Sequence, residues 1–255
     1  MICIGTEQSW KRTRRSATAP TGQFFKGEWM ETDGDHDISP TVFLVEMPPK
    51  LVANPHFHKH NQFQVFLKGS GSIGPHELRP VAVHYAGAYT GYGPVLASDE
   101  GLWYFTMRPA FETGAFYLPE SRREVIRGPK RHAMAQLASV ATLAQLRSLG
   151  EPYGNDLIPL AQDELAARDI LLPPGERAHG LDPTGTGGQF FIVLAGSMVF
   201  GGSVLRPWEH VFVSADEQPF TVTAGEDGLH VLFLQFPELA PEYAAHAGVE
   251  PRTAA

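Results

Sequence analysis

His56 and His58 flank a single residue, and Gln62 and Gly69 follow at intervals of four and seven in the run Asn54-Pro-His-Phe-His-Lys-His-Asn-Gln-Phe-Gln-Val-Phe-Leu-Lys-Gly69. In an extended strand alternate residues share a face, so His56 and His58 can present two imidazoles side by side. Paired neutral imidazoles suit a divalent transition metal, and a metal with open positions supports Lewis-acid or oxygen chemistry. The bland reading of the same cluster is hydrogen bonding around a polar rim.

The surrounding pattern sets these residues on strands. Gln62 to Leu67 alternates and is rich in Phe and Val, and the runs at Gly22-Gln-Phe-Phe, Thr41 to Val45, Val81 to Tyr85 and Gly101 to Met107 read the same way. Gly69, Gly71 and Gly74 with Pro75 read as turns. The segment Gly69-Ser-Gly-Ser-Ile-Gly74 lacks the lysine and the following helix of a phosphate loop. Glu31 to Asp37 reads as a polar turn, because Asp33, Asp35 and Asp37 lack the remainder of a calcium loop. Within Ala133 to Leu149, the side chains of Leu137, Val140, Ala141, Ala144 and Leu149 fit one face of a short helix that Gly150 and Pro152 end.

An internal repeat organises the rest. Gln189-Phe190 repeats Gln62-Phe63, and 189 − 62 = 127. At that offset Leu67, Gly69, Ser70 and Gly74 recur as Leu194, Gly196, Ser197 and Gly201, and Leu78-Arg79-Pro80 recurs as Leu205-Arg206-Pro207. Val95, Ala97 and Gly101-Leu102 recur as Val222, Ala224 and Gly228-Leu229 without a gap.

These motifs resemble those of the cupin superfamily, and with the repeat the chain is similar to a two-domain member, a bicupin. The superfamily's first motif is a Gly, five residues, His-x-His, three or four residues, Glu, six residues and Gly. His56, His58, Gln62 and Gly69 match it, except that the early Gly is absent and Gln62 replaces the Glu. The His of the second motif falls at or near Tyr92. In the second copy the His-x-His positions fall in the His-free run from Leu181 to Gly188, and the second-motif position falls at Pro219. That copy reads as metal-free, structural or a binding lobe, with His179 and His210 outside any ligand set.

The resemblance implies an all-β fold: two cupin-type barrels (double-stranded β-helix, jelly roll) from an internal duplication, joined by a short helical linker. The implied divisions are a tail over 1–21, a barrel with the His-x-His site over 22–115, a linker over 116–160, a degenerate barrel over 161–240 and a tail over 241–255. It implies a divalent metal (Fe, Mn, Ni, Cu or Zn) on His56, His58 and Gln62, with Tyr92 as fourth ligand or proton donor. His60 and His84 are substitute ligands. The physical counterweight is that Gln for Glu removes a negative charge, and a phenol stays protonated until a metal is bound.

Composition bounds the alternatives. With 255 residues, 43% hydrophobic and 19% charged, the chain is of ordinary globular type. A net charge of −8 argues against a nucleic-acid surface, and no run of apolar residues is long enough to span a membrane. The basic group Lys11, Arg12, Arg14 and Arg15 lacks the apolar run of an export signal, and Cys3 is the single cysteine, so a cytoplasmic location is expected. The expected partners are a small-molecule ligand and, through edge strands, a second copy in a homodimer; the two barrels are expected to pack in pseudo-twofold fashion. The function so implied is a metal-dependent small-molecule enzyme of the dioxygenase or isomerase class. The alternative is a non-catalytic sensor or store that binds a small molecule without metal.

Overall fold

The computed structural model describes residues 1–30, 39–112 and 114–246. The expected Glu31–Asp37 turn, with its three aspartates, lies outside the described residues. Strands take up 53% of the chain and helix 9%, and the strand registers given among the described residues are antiparallel, in an all-β jelly-roll fold. The chain forms two compact units. The pairings in each follow open paths, so the expected barrels are sheets whose ladder does not close on itself. Among the described residues no helix is long and apolar enough to cross a membrane.

One unit contains the His-x-His stretch. Its nine-stranded sheet runs in the order His132–Gln136, Ala82–Ala86, Gln62–Ile73, Val95–Arg108, Thr41–Met47, Gly22–Met30, Arg15–Ala19. A separate small sheet pairs His56–Phe57 with Phe116–Tyr117. The other unit is an eight-stranded sheet in the order Ile2–Gly5, His210–Val213, Thr186–Phe200, Thr221–Pro237, Ala166–Leu172, Tyr153–Ile158. Its core is built on Phe191, Phe233, Phe220, Val231 and Met198.

Strand positions and registers recur at the offset of 127. Gly69 faces Leu102 as Gly196 faces Leu229, and Phe63 faces Met107 as Phe190 faces Leu234. The hairpin pair Gly71–Leu78 recurs as Met198–Leu205. Gly69 and Gly71 are therefore not turn residues. They lie inside a long strand, and only Gly74-Pro75 makes the turn. Gly69 is at φ 76° and Gly196 at φ 72°. A Cβ on either would stand 2.1 Å from the carbonyl oxygen of Gly101 or Gly228. Only glycine allows that approach.

The segment expected to be an N-terminal tail and parts of the expected linker are built into the sheets. Ile2–Gly5 pairs with His210–Val213, and Arg15–Ala19 pairs with Gly22–Met30. The basic residues there find acids: Arg14 grips Glu46 with two bonds of 2.8 Å, and Arg15 binds Glu28. Within 116–160, His132–Gln136 and Tyr153–Ile158 are edge strands. The expected helix shrinks to Leu143–Ser148, because Thr142 and Gln145 form a capping box that starts it late. Its buried side chain is Leu146, while Val140 is exposed. Near the far end of the described chain, Tyr243 is 2% exposed and packs with Phe57 and Tyr89.

Two stability predictions follow from this framework. Gly69→Ala and Gly196→Ala should each destabilise their unit by about 2–3 kcal/mol in urea unfolding, through the carbonyl clash as well as the left-handed φ. Gly175→Ala, also left-handed (φ 73°) but with open space around it, should cost about 1 kcal/mol. The second concerns pH. His210 is fully buried, its Nδ1–H donates to the Trp208 carbonyl at 3.0 Å, and burial pushes its pKa down to about 4. A histidine in the unfolded chain takes up a proton near pH 6.5. Stability should thus be complete above that pH and fall as pH drops from about 6.5 toward 4, by on the order of 3 kcal/mol. Unfolding measured across this window should show the fall, and His210→Gln should remove its own share of it, leaving the part due to His56, His58 and His84, which burial also holds below the ordinary imidazole pKa.

Candidate functional site

Three backbone features bring the site together. His56 lies on the short strand paired with Phe116–Tyr117, and it exchanges backbone bonds with Tyr92 (His56 N to Tyr92 O 3.1 Å, Tyr92 N to His56 O 2.9 Å). Alternation then sends Phe57 away into a cluster with Tyr89 and Phe116, while His56 and His58 stay buried together. Their rings meet edge to face at 5.3 Å between centroids, and the Tyr92 ring stands 4.5 Å from that of His56.

Gln62 is wholly buried and joins them: its side-chain amide donates to the Tyr92 hydroxyl. Its oxygen accepts from Arg108, Nε at 3.1 Å and Nη2 at 3.0 Å. Arginine only donates, so the amide oxygen must face it and the amide nitrogen must face the tyrosine. An ionised glutamate in place of Gln62 could not donate to Tyr92 and could only accept from its hydroxyl.

Arg108 is 1% exposed. Its Nη2 also lies 3.0 and 3.2 Å from the two ring nitrogens of His58. Glu112 completes the group, with Oε1 3.2 Å from His58 Nδ1 and 3.1 Å from the donating Lys59 amide, and Oε2 3.9 Å from Arg108 Nε. A proton on Nδ1 shared with Glu112 leaves Nε2 of His58 to accept from Arg108. Burial, then Arg108, then His56 hold His58 well below the ordinary imidazole pKa. Burial likewise lowers His56 and raises the Tyr92 and Tyr104 phenols, which stay protonated.

This group opens on a cavity of about 410 Å³, lined among others by Lys26, Phe43, Tyr104, Arg108, His56 and His58. The expected ligands His56, His58, Gln62 and Tyr92 are thus assembled in one place. His60 does not line the cavity. His84 lies on the far side of Tyr92, with Nδ1 2.9 Å from Gln64 Oε1 and its ring beside His132.

As arranged, the donor set is occupied by a guanidinium where a divalent metal was expected. Among the described residues no group of three or more His, Cys, Asp or Glu side chains is placed to hold one. Two of the three expected ligands, Gln62 and His58, are engaged by a guanidinium, and a second cation beside it in a buried setting would be strongly repelled. Sequence reading missed Arg108 because it scored the motif strand alone. Two signals were present: Tyr104, Thr106 and Arg108 alternate on one face, and an arginine closing an apolar strand needs a partner.

The other unit shows the same positions without a cavity chemistry. At the offset of 127, Gln62 and Arg108 become Gln189 and Gln235, direct cross-strand neighbours joined amide to amide at 2.8 Å. Gln64, Tyr104 and Thr106 become Phe191, Val231 and Phe233, all in the core.

No protein-family profile and no curated protein sequence matches the chain. Solved structures do. A proposed dioxygenase from Nostoc punctiforme matches with a TM-score of 0.64 at 10% identity, over 94% of this chain and 84% of that one. Bacterial pirin from Escherichia coli, in complex with nickel(II), matches at 0.54 and 13%, over 93% and 100%. A mutant of oxalate decarboxylase from Bacillus subtilis matches at 0.55 and 13%, over 91% and 77%. These are cupin-fold proteins, and at such identities the likeness is one of fold.

The Gln62–Tyr92 contact gives a test of the network. Tyr92→Phe removes the acceptor of a buried amide and should cost about 1–3 kcal/mol in urea unfolding. Tyr117→Phe, on the same cavity wall, should stay within about 0.5 kcal/mol of the parent.

Proposed function

We propose that this cavity binds a small organic acid, with Arg108 supplying the positive charge that the sequence alone assigned to a metal. The observation that carries the reading is the unused face of the guanidinium. Arg108 spends Nε and Nη2 on Gln62 and His58, and among the described residues no acceptor engages Nη1, although the residue is almost wholly buried and borders the cavity. A buried donor of that strength is satisfied by a carboxylate, which fits a guanidinium edge in bidentate fashion. His56 supports the same reading. Its Nδ1 donates to the Asn54 carbonyl at 2.7 Å, so Nε2 is a bare lone pair able to accept from a ligand hydroxyl or acid proton. The aromatic walls favour a ligand with a flat or apolar body. The two units are read as copies of one duplicated jelly roll, of which the second has filled its interior.

The second reading keeps the metal and an enzyme of dioxygenase or isomerase type. It is favoured by that same bare lone pair of His56, by the low pKa that keeps both imidazoles neutral, and by a pirin of the same fold that holds nickel(II). It requires Arg108 to leave Gln62 and His58.

The two readings separate in one set of measurements. Calorimetry with benzoate and succinate, beside metal analysis of untagged protein, should show acid binding and no stoichiometric metal. Arg108→Gln restores at this position the amide pair that Gln189 and Gln235 already make, so the fold should survive while acid affinity falls at least about tenfold. Unchanged acid affinity in Arg108→Gln overturns the proposal. Stoichiometric metal that disappears in His58→Ala establishes the second reading instead.

A further inference from the structure

The cavity has a second positive pole that the motif residues do not supply. Along Gly22–Met30, Phe24, Lys26 and Glu28 share the partly buried face while Gln23 and Phe25 are exposed. Lys26 therefore points inward, and it lines the cavity together with Arg108. Its amine sits 3.7 Å from the centroid of the Phe43 ring, and the Arg108 guanidinium carbon stands 5.6 Å from the same centroid. The two cationic centres are hence no more than about 9 Å apart (3.7 and 5.6 Å end to end).

The carboxylates near Lys26 are committed elsewhere. Glu28 is held by Arg15 through two bonds of 2.6 and 2.8 Å, and it reaches Lys26 only at 3.8 Å. Glu112 directs Oε1 at His58 and the Lys59 amide, and its Oε2, with no hydrogen bond among the described residues, stands nearer Arg108 at 3.9 Å. Lys26 makes no hydrogen bond among the described residues, its carboxylate neighbour Glu28 stands at 3.8 Å and is shared with Arg15, and burial lowers its pKa to about 8. A buried cation so loosely paired gains from an anion brought in by the ligand.

We infer that the ligand carries two acidic groups, one placed on Arg108 and the other on Lys26, with its body against Phe43 and Tyr104. This rests on the acid-binding reading above and narrows it from acids in general to short dianions. A monoacid seated on Arg108 would leave the Lys26 ammonium with only its distant share of Glu28. A diacid neutralises both poles at once, so Lys26 selects between the two.

The test compares matched pairs by calorimetry: succinate and glutarate against butyrate, and isophthalate against benzoate. In the parent protein the diacids should bind at least about tenfold more tightly than their monoacid partners. Lys26→Met keeps the aliphatic stem over Phe43 and removes the charge. It should weaken the diacids at least about tenfold more than the monoacids, and so bring the two classes together. Lys26→Gln, compared for unfolding temperature with the parent, guards against a fold effect and should behave the same way. A diacid preference that persists in both Lys26 variants overturns the inference and leaves the acid-binding reading intact. Failure of Arg108→Gln to weaken either class overturns the acid-binding reading itself.

Discussion

A guanidinium taken out of water is the constraint on which the rest of this site depends. Desolvating Arg108 costs several kcal/mol unless its donors are met. Gln62 and His58 meet Nε and Nη2, and Glu112 stands 3.9 Å from Nε as the nearest counter-charge. Each partner is then fixed in turn. The oxygen of Gln62 is committed to the arginine, which turns its amide nitrogen toward Tyr92, and Tyr92 is in any case held beside His56 by the backbone bridge. His58 is held neutral between an acid and a base. The two histidines that suggest a metal from their spacing are, in three dimensions, part of the setting of an arginine.

Much of the framework was legible because it depends on local pattern. The strands at 41–47, 62–73, 82–86 and 95–108 follow from alternation and β-branched or aromatic content. The repeat at 127 was visible because glycines at left-handed, carbonyl-crowded positions cannot be replaced without strain. Gly69 reads as a turn because φ > 0 occurs both in hairpins and in bulged strands and sequence does not tell them apart. What stayed hidden depends on long-range pairing. Ile2–Gly5 looks like a polar tail because its partner lies more than 200 residues away, at His210–Val213. Arg108 was hidden for the same reason. It is one step beyond the Phe63–Met107 pair, opposite Gln62, and only the register between two strands reveals that.

The comparison between the units shows how little sequence separates a filled interior from an open one. Both share strand positions, bulge glycines and the Gln at the head of the central strand. The difference lies in residues of a single parity, Gln64, Tyr104, Thr106 and Arg108 against Phe191, Val231, Phe233 and Gln235. Phenylalanine and valine can close an interior by contact alone, whereas polar groups can be buried only where each finds a partner. Two neutral amides carry no charge to balance, and Gln189 and Gln235 bond to each other and to the Leu181 and Glu164 carbonyls. Exchanging one amide for a guanidinium adds donors that two side chains cannot exhaust, together with a charge that apolar packing cannot neutralise. The space beside Arg108 therefore stays open, and its chemistry is set by that surplus: the strand that faces the histidine motif, more than the motif, determines what the cavity can receive.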